Sequence, residues 1–116
     1  MNKTFVFLLL GAGIFAGLLP LSNTYGQGSD TGRALYEEKC VICHGAKGKG
    51  DGPAASALSP PPKDFNSPEF WKQKNVDQLI ANQVEHGKGA MPAFSLSDDE
   101  IKAIIGFMTQ AFKKSS

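Results

Sequence analysis

The chain has 116 residues, room for one domain, with an ordinary apolar content of 41% and a formal charge of +1 from 12 basic and 11 acidic side chains. Setting Lys3 aside leaves eleven of each sign, without the basic excess that phosphate binding needs, which argues against nucleic acid as a partner. The chain has 2 cysteines, and they lie close together.

Residues 1–26 have the make-up of an export signal. Lys3 supplies a positive start, the run from Phe5 to Leu19 is uncharged and rich in Leu, Phe, Gly and Ala, and Thr24 and Gly26 put small residues where a signal peptidase cuts. Cleavage after Gly26 is the expectation, with a domain over 27–116 and a periplasmic or otherwise exported location. A retained membrane anchor is the alternative, because Ala-x-Ala is missing. Against it, the apolar run spans only about 22 Å of a roughly 30 Å hydrocarbon core. Roughly 90 residues then remain, a size at which a protein-only core is thin and an added staple is often needed.

From Asp30 to Lys39 the pattern is helical, with Asp30 as cap, Leu35, Tyr36 and Cys40 at helical spacing, and Arg33, Glu37, Glu38 and Lys39 toward water. Gly32 costs such a helix about 1 kcal/mol against Ala, which is accounted for if another helix crosses there at close range. The helix leads into Cys40-Val41-Ile42-Cys43-His44, the C-x-x-C-H arrangement of covalent haem attachment. Thiols at that spacing reach two vinyl groups on one porphyrin edge, and the adjacent imidazole falls beneath the iron. Rival readings fit less well. A disulfide closing so tight a loop constrains the unfolded chain little, and a thioredoxin-like dithiol needs a βαβ scaffold that these flanks do not suggest. Structural zinc needs four ligands, and His86 is the remaining His or Cys. A haem would itself be the missing staple, since apolar groups packed on it gain about 25 cal/mol per Å².

After His44 the run from Gly45 to Pro53 is too rich in glycine for a helix or a regular strand. It lacks the Walker pattern and reads as a loop wrapping the haem edge. A carbonyl near Pro53 is expected to accept from His44 Nδ1 and fix the tautomer that leaves Nε2 for iron. Ser59-Pro60-Pro61-Pro62-Lys63-Asp64-Phe65 reads as a stiff strap over the haem. Ser67 and Pro68 then look like a cap and first position of a short helix, with Phe65, Phe70 and Trp71 expected on or near the macrocycle.

Asn75 and Gln78 resemble a capping box for a helix through Glu85 or His86, with Val76, Leu79, Ile80 and Val84 on one face and Gly87 as terminator. Between this helix and the last one, Met91 sits among Gly87, Gly89 and Pro92, and Pro92 biases it toward an extended backbone. It is the expected second axial ligand, since a thioether opposite histidine raises the potential in electron-transfer cytochromes c. His86 is better explained by the helix C-terminus, and Met108 by the core. Ser97 to Glu100 is a clear capping box. Leu96 and Ile101 form its staple, and Ile101, Ile104, Ile105, Met108 and Phe112 form an apolar stripe. Gly106 and Phe107 lie within it as the expected crossing partners of Gly32 and Tyr36.

Taken over Asp30 to Lys113, the chain resembles the class I cytochromes c. The likeness rests on Gly32 and Tyr36, the motif from Cys40 to His44, Gly52-Pro53, Met91-Pro92 and an aromatic in the last helix. The stretch from Gly48 to Ala55 and the strap from Pro60 to Phe65 are similar to those of small bacterial monohaem cytochromes, including electron-input domains. The resemblance implies an all-α fold of three to five helices around one covalent haem, with the terminal helices crossing. It also implies a one-electron carrier, not an enzyme, passing electrons between redox proteins. A haem enzyme or gas sensor with an open distal site is the alternative, but no distal acid or base is evident. The loop from His44 to Pro53 is shorter than in mitochondrial cytochrome c and the basic ring is thin, so partners known for that protein are not carried over.

Overall fold

The computed structural model describes residues 27–114, together with Gly13 and Gly17. The expected export signal, apart from those two glycines, lies outside the described residues. Helices account for the regular structure among the described residues: α1 Gln27–Lys39, α2 Val41–His44, a 3-10 turn Ala55–Ala57, α3 Pro68–Trp71, α4 Val76–His86 and α5 Asp98–Phe112.

Helix α1 begins at Gln27, so Asp30 does not cap it. Asp30 lies in the first turn, where a negative charge suits the positive end of the helix dipole. Asn75 likewise forms no capping box. It sits in the left-handed region at φ 57° and makes no side-chain cap, a conformation that Asn tolerates better than most residues. Ser97 does cap α5: its backbone N–H donates to Glu100 Oε2 at 2.8 Å and its Oγ accepts from the Glu100 N–H at 3.3 Å.

Helices α1 and α5 form the main interface of the domain. Their crossing passes over Gly32, where an added Cβ would overlap the Ala103 carbonyl and lie 3.0 Å from Phe107 Cβ. Gly32 is therefore required by the approach, as expected. Gly106 is not its counterpart: it is exposed with open space around it, and the close contact is made by Ala103 and Phe107. The helix turns by about 100° per residue, which carries Gly106 round to the solvent side while Phe107 points inward. Arg33 lies over the Phe107 ring at 5.6 Å.

The core gathers around Tyr36 and Ile104, each 1% exposed, with Ile101, Phe107, Met108 and Phe112 from α5 and Ile80 and Val84 from α4. Tyr36 packs tilted against Phe107 and Phe112, with ring centroids 5.4 and 5.3 Å away. Phe107 is thus the expected aromatic crossing partner of Tyr36, whereas Ile105 of the apolar stripe is half-buried.

The two glycines give opposite expectations. Gly32→Ala should destabilise the protein by about 2 kcal/mol or more, because backbone cannot make way for the methyl group. Gly106→Ala should stabilise it by up to about 1 kcal/mol through helix propensity alone. Denaturant midpoints of the two variants check both signs.

Candidate haem site

Helix α1 passes into α2 almost without interruption. The Cys40 N–H donates to the Tyr36 carbonyl at 2.9 Å and the His44 N–H to the Cys40 carbonyl at 2.8 Å, so one helical turn carries both thiols and the imidazole. Cys40 and Cys43 are half-buried and unbridged. Burial pushes the Cys40 thiol up to about 11, with Lys39 opposing and Cys43 adding to the rise. Between the thiols Ile42 is 60% exposed, a large apolar side chain left at the surface.

His44 is half-buried. Burial lowers its pKa from the ordinary histidine value, with the Lys63 backbone opposing, and so favours the neutral imidazole that offers a lone pair to a metal. The expected hydrogen bond from Nδ1 to a carbonyl near Pro53 is not formed: Nδ1 is buried without a hydrogen-bond partner, and Pro53 is exposed. The reason lies in the backbone. The Gly52 N–H donates to the Cys43 carbonyl at 3.1 Å and the Ala54 N–H to the Ile42 carbonyl at 2.9 Å. A Cβ on Gly52 would overlap the Val41 and Ile42 carbonyls. Gly52-Pro53 thus lies against the backbone of the turn, and the strap around Lys63 and Phe65 approaches the ring instead.

Phe65 is buried and stacks on His44 with centroids 4.6 Å apart and planes at 19°. Trp71 is half-buried, donates from Nε1 to the Phe65 carbonyl at 2.6 Å, and meets Phe70 edge-on at 5.2 Å. These aromatics gather on the His44 side as a cluster. Sequence reasoning had named Phe65 and Trp71 but not the hydrogen bond or the stack that joins them.

Met91 is half-buried and packs against the core. Its loop is held at both ends. Lys88 and Met91 exchange backbone hydrogen bonds at 3.0 Å, and the Phe94 N–H donates to the Val84 carbonyl of α4 at 2.8 Å. Gly87, at φ 70°, lets the loop turn under α4, where a Cβ would come 2.6 Å from the Met91 carbonyl. His86 is exposed at the end of α4, with Nδ1 3.1 Å from the Asn82 carbonyl, and Met108 is 3% exposed in the core. Neither is set out as Met91 is.

A haem fits this donor set. Two free thiols share a turn, an adjacent imidazole has a buried Nδ1 with no other role, and a thioether is held on a fixed loop. No group of three or more His, Cys, Asp or Glu side chains suited to a metal ion occurs among the described residues, as a zinc site would need.

Covalent haem attachment through a single C-x-x-C-H turn, in a helical fold whose first and last long helices cross, defines a small c-type cytochrome. Residues 27–108 match the family described as Cytochrome C oxidase, cbb3-type, subunit III, and the chain belongs to this family of cytochrome c domains. It is 31% identical over 111 residues to cytochrome c6 of Gracilaria tenuistipitata var. liui, which covers 93% of each chain. It is 33% identical over 85 residues to cytochrome c6 of Leptolyngbya boryana, covering 72% of this chain and 92% of that one. Thiosulfate dehydrogenase of Psychrobacter arcticus is 29% identical over 99 residues, 81% of this chain but 29% of that protein. Among solved structures, a chain of the Kuenenia stuttgartiensis reducing HAO-like protein complex matches with a TM-score of 0.62 at 33% identity, over 80% of this chain and 47% of that one. The chain is accordingly a monohaem electron carrier with covalent haem c and its iron, working with redox partners.

The Tyr36 hydroxyl donates to the Gly45 carbonyl at 2.9 Å, tying α1 to the residue after His44. Tyr36→Phe should cost about 1 kcal/mol, at the low end for a buried hydrogen bond, because the Gly48 N–H also reaches that carbonyl at 3.1 Å. Thermal unfolding of the haem-loaded protein checks it.

Proposed function

We propose that this cytochrome is exported, that its haem is attached through Cys40 and Cys43, and that His44 and Met91 complete the coordination of an iron that cycles between two oxidation states one electron apart. The observation that carries the reading is that one helical turn presents two unbridged thiols and an adjacent, half-buried imidazole, with Met91 on a loop fixed at both ends. When bound, the haem supplies the one-electron couple.

The chain's own residues then have distinct tasks. Cys40 and Cys43 hold the group by thioether links formed at their sulfurs. The neutral imidazole of His44 supplies a nitrogen lone pair on one side, and the Met91 thioether a softer sulfur on the other. Phe65, Phe70 and Trp71 close the His44 side against water. Iron held by both His44 and Met91 would have no position left for a substrate, in keeping with a carrier.

Export follows from the charge and apolar pattern of residues 1–26, with cleavage after Gly26. No helix among the described residues is long and apolar enough to cross a membrane; attachment to one would need the N-terminal segment to be retained. The likeness to part of a thiosulfate dehydrogenase and to a chain of an HAO-like complex favours service to an oxidoreductase, either free or docked as its electron-transfer subunit.

Met91→Ala should abolish the thioether-to-iron charge-transfer band and lower the reduction potential, since the thioether is what raises it. Optical spectra with a potentiometric titration read both, and an unchanged spectrum would mean that Met91 does not bind iron. N-terminal sequencing of the protein recovered from an exporting host should begin at Gln27. A start at Met1 would identify the segment as a retained anchor.

A further inference from the structure

Gly106 weakens a helix relative to Ala, and the crossing of α1 with α5 does not require it, for it is exposed with open space where a Cβ would stand. Gly32, inside α1, lies where a second backbone comes into contact. Gly106 offers the same close approach outward. Two shallow grooves meet at Lys102 and Gly106, one walled by Ala103 and Phe107, the other by Ile105 and Thr109.

The side chains along this face of α5 form a palindrome. Asp99, Lys102, Gly106, Gln110 and Lys113 are spaced three, four, four and three residues apart, so they share one side of the helix and read alike from either end. All of them are exposed. An interface between two copies of one surface must be self-complementary, with residue i meeting j and j meeting i. With two α5 helices antiparallel and Gly106 on the two-fold axis, Asp99 of each copy faces Lys113 of the other, and Lys102 faces Gln110. The charges match, because a carboxylate meets an ammonium at both ends and each remaining ammonium meets an amide oxygen that can accept from it. Within one chain Asp99 and Lys113 stand about 21 Å apart along the helix and cannot pair. Asp99 reaches its own Lys102 only at 3.8 Å and has 96% of its side chain exposed, open to a second cation. Lys113 makes no ion pair among the described residues.

We infer that this face of α5 is a docking surface for a second copy of the chain, the two helices crossing antiparallel at Gly106. The inference does not rest on how the haem is ligated. One helix pair stands at the small end of protein interfaces, so the dimer is a transient one.

Sedimentation velocity of the haem-loaded protein at low ionic strength tests it. A reversible dimer should form as the concentration rises from about 10 µM to about 1 mM; a monomer throughout overturns the inference. Asp99→Lys and Lys113→Asp each set like charges face to face and should raise the dissociation constant at least about tenfold. Combining them should restore association, since the exchanged charges meet again across the two-fold axis. Gly106→Gln should abolish the dimer by holding the helices apart, while the open space at that position lets the domain fold as before. Circular dichroism establishes that each variant is folded. Single variants that associate like the parent, a combined variant as weak as the singles, or an undiminished dimer in Gly106→Gln each overturn the pairing. If a charge reversal prevents folding, Lys113→Gln takes its place: weaker association supports the pairing and unchanged association overturns it.

Discussion

Helices α1 and α5 approach most closely at Gly32, where a single methyl group would overlap the Ala103 carbonyl. That contact sets how far the first helix can sink onto the last, and much of the site is placed by it. With the backbones in touch, Phe107 and Phe112 reach the Tyr36 ring from two directions. Tyr36 is left almost without exposure, and its hydroxyl meets the Gly45 carbonyl just past His44. A change at the crossing would therefore be felt at the imidazole, through one aromatic ring and one hydrogen bond.

The thiols and the imidazole are local neighbours, so a single helical turn suffices to hold them. The methionine loop has no such advantage. Its position comes from Gly87, which lets the chain double back beneath α4, and from the bond between Phe94 and Val84 that fastens its far end. A thioether is a weak and soft ligand, and in the role proposed for Met91 a loop fixed at both ends would spare it the entropy of finding its place. The same logic applies on the histidine side, where glycines at positive φ bring the loop after His44 close enough for Phe65 to bond Gly48.

The relatives divide between free-standing carriers and parts of larger proteins. Cytochrome c6 of Gracilaria matches this chain almost end to end, while the thiosulfate dehydrogenase and the HAO-like complex chain extend well beyond it. Under the proposed ligation the redox group would be held wholly by the domain's own side chains, which suits either arrangement. At its outer surface this chain leaves Ile42 exposed between its two cysteines.

The sequence by itself determined the features that depend on neighbours along the chain. The C-x-x-C-H turn, the capping box at Ser97 and the apolar face of α5 were legible because a helix places residues three and four apart together. Gly32 was legible as a crossing point, for a glycine inside a helix needs a reason. The partner of Gly32 was not, because Gly106 and Phe107 differ by one position and only the rotation of α5 decides which faces inward. Asp30 and Asn75 looked like caps, yet Asp30 lies within the first turn of α1 and the backbone at Asn75 is left-handed with no side-chain cap. The surroundings of His44 were likewise decided by tertiary structure. Pro53 is close in sequence but lies against the backbone of the turn, while Phe65 and the Lys63 backbone, farther along the chain, are folded onto the ring by hydrogen bonds between the strap and a glycine loop. Chemistry carried by adjacent residues can be read from their order; the groups that orient it come from elsewhere in the chain, and only the folded backbone brings them to face it.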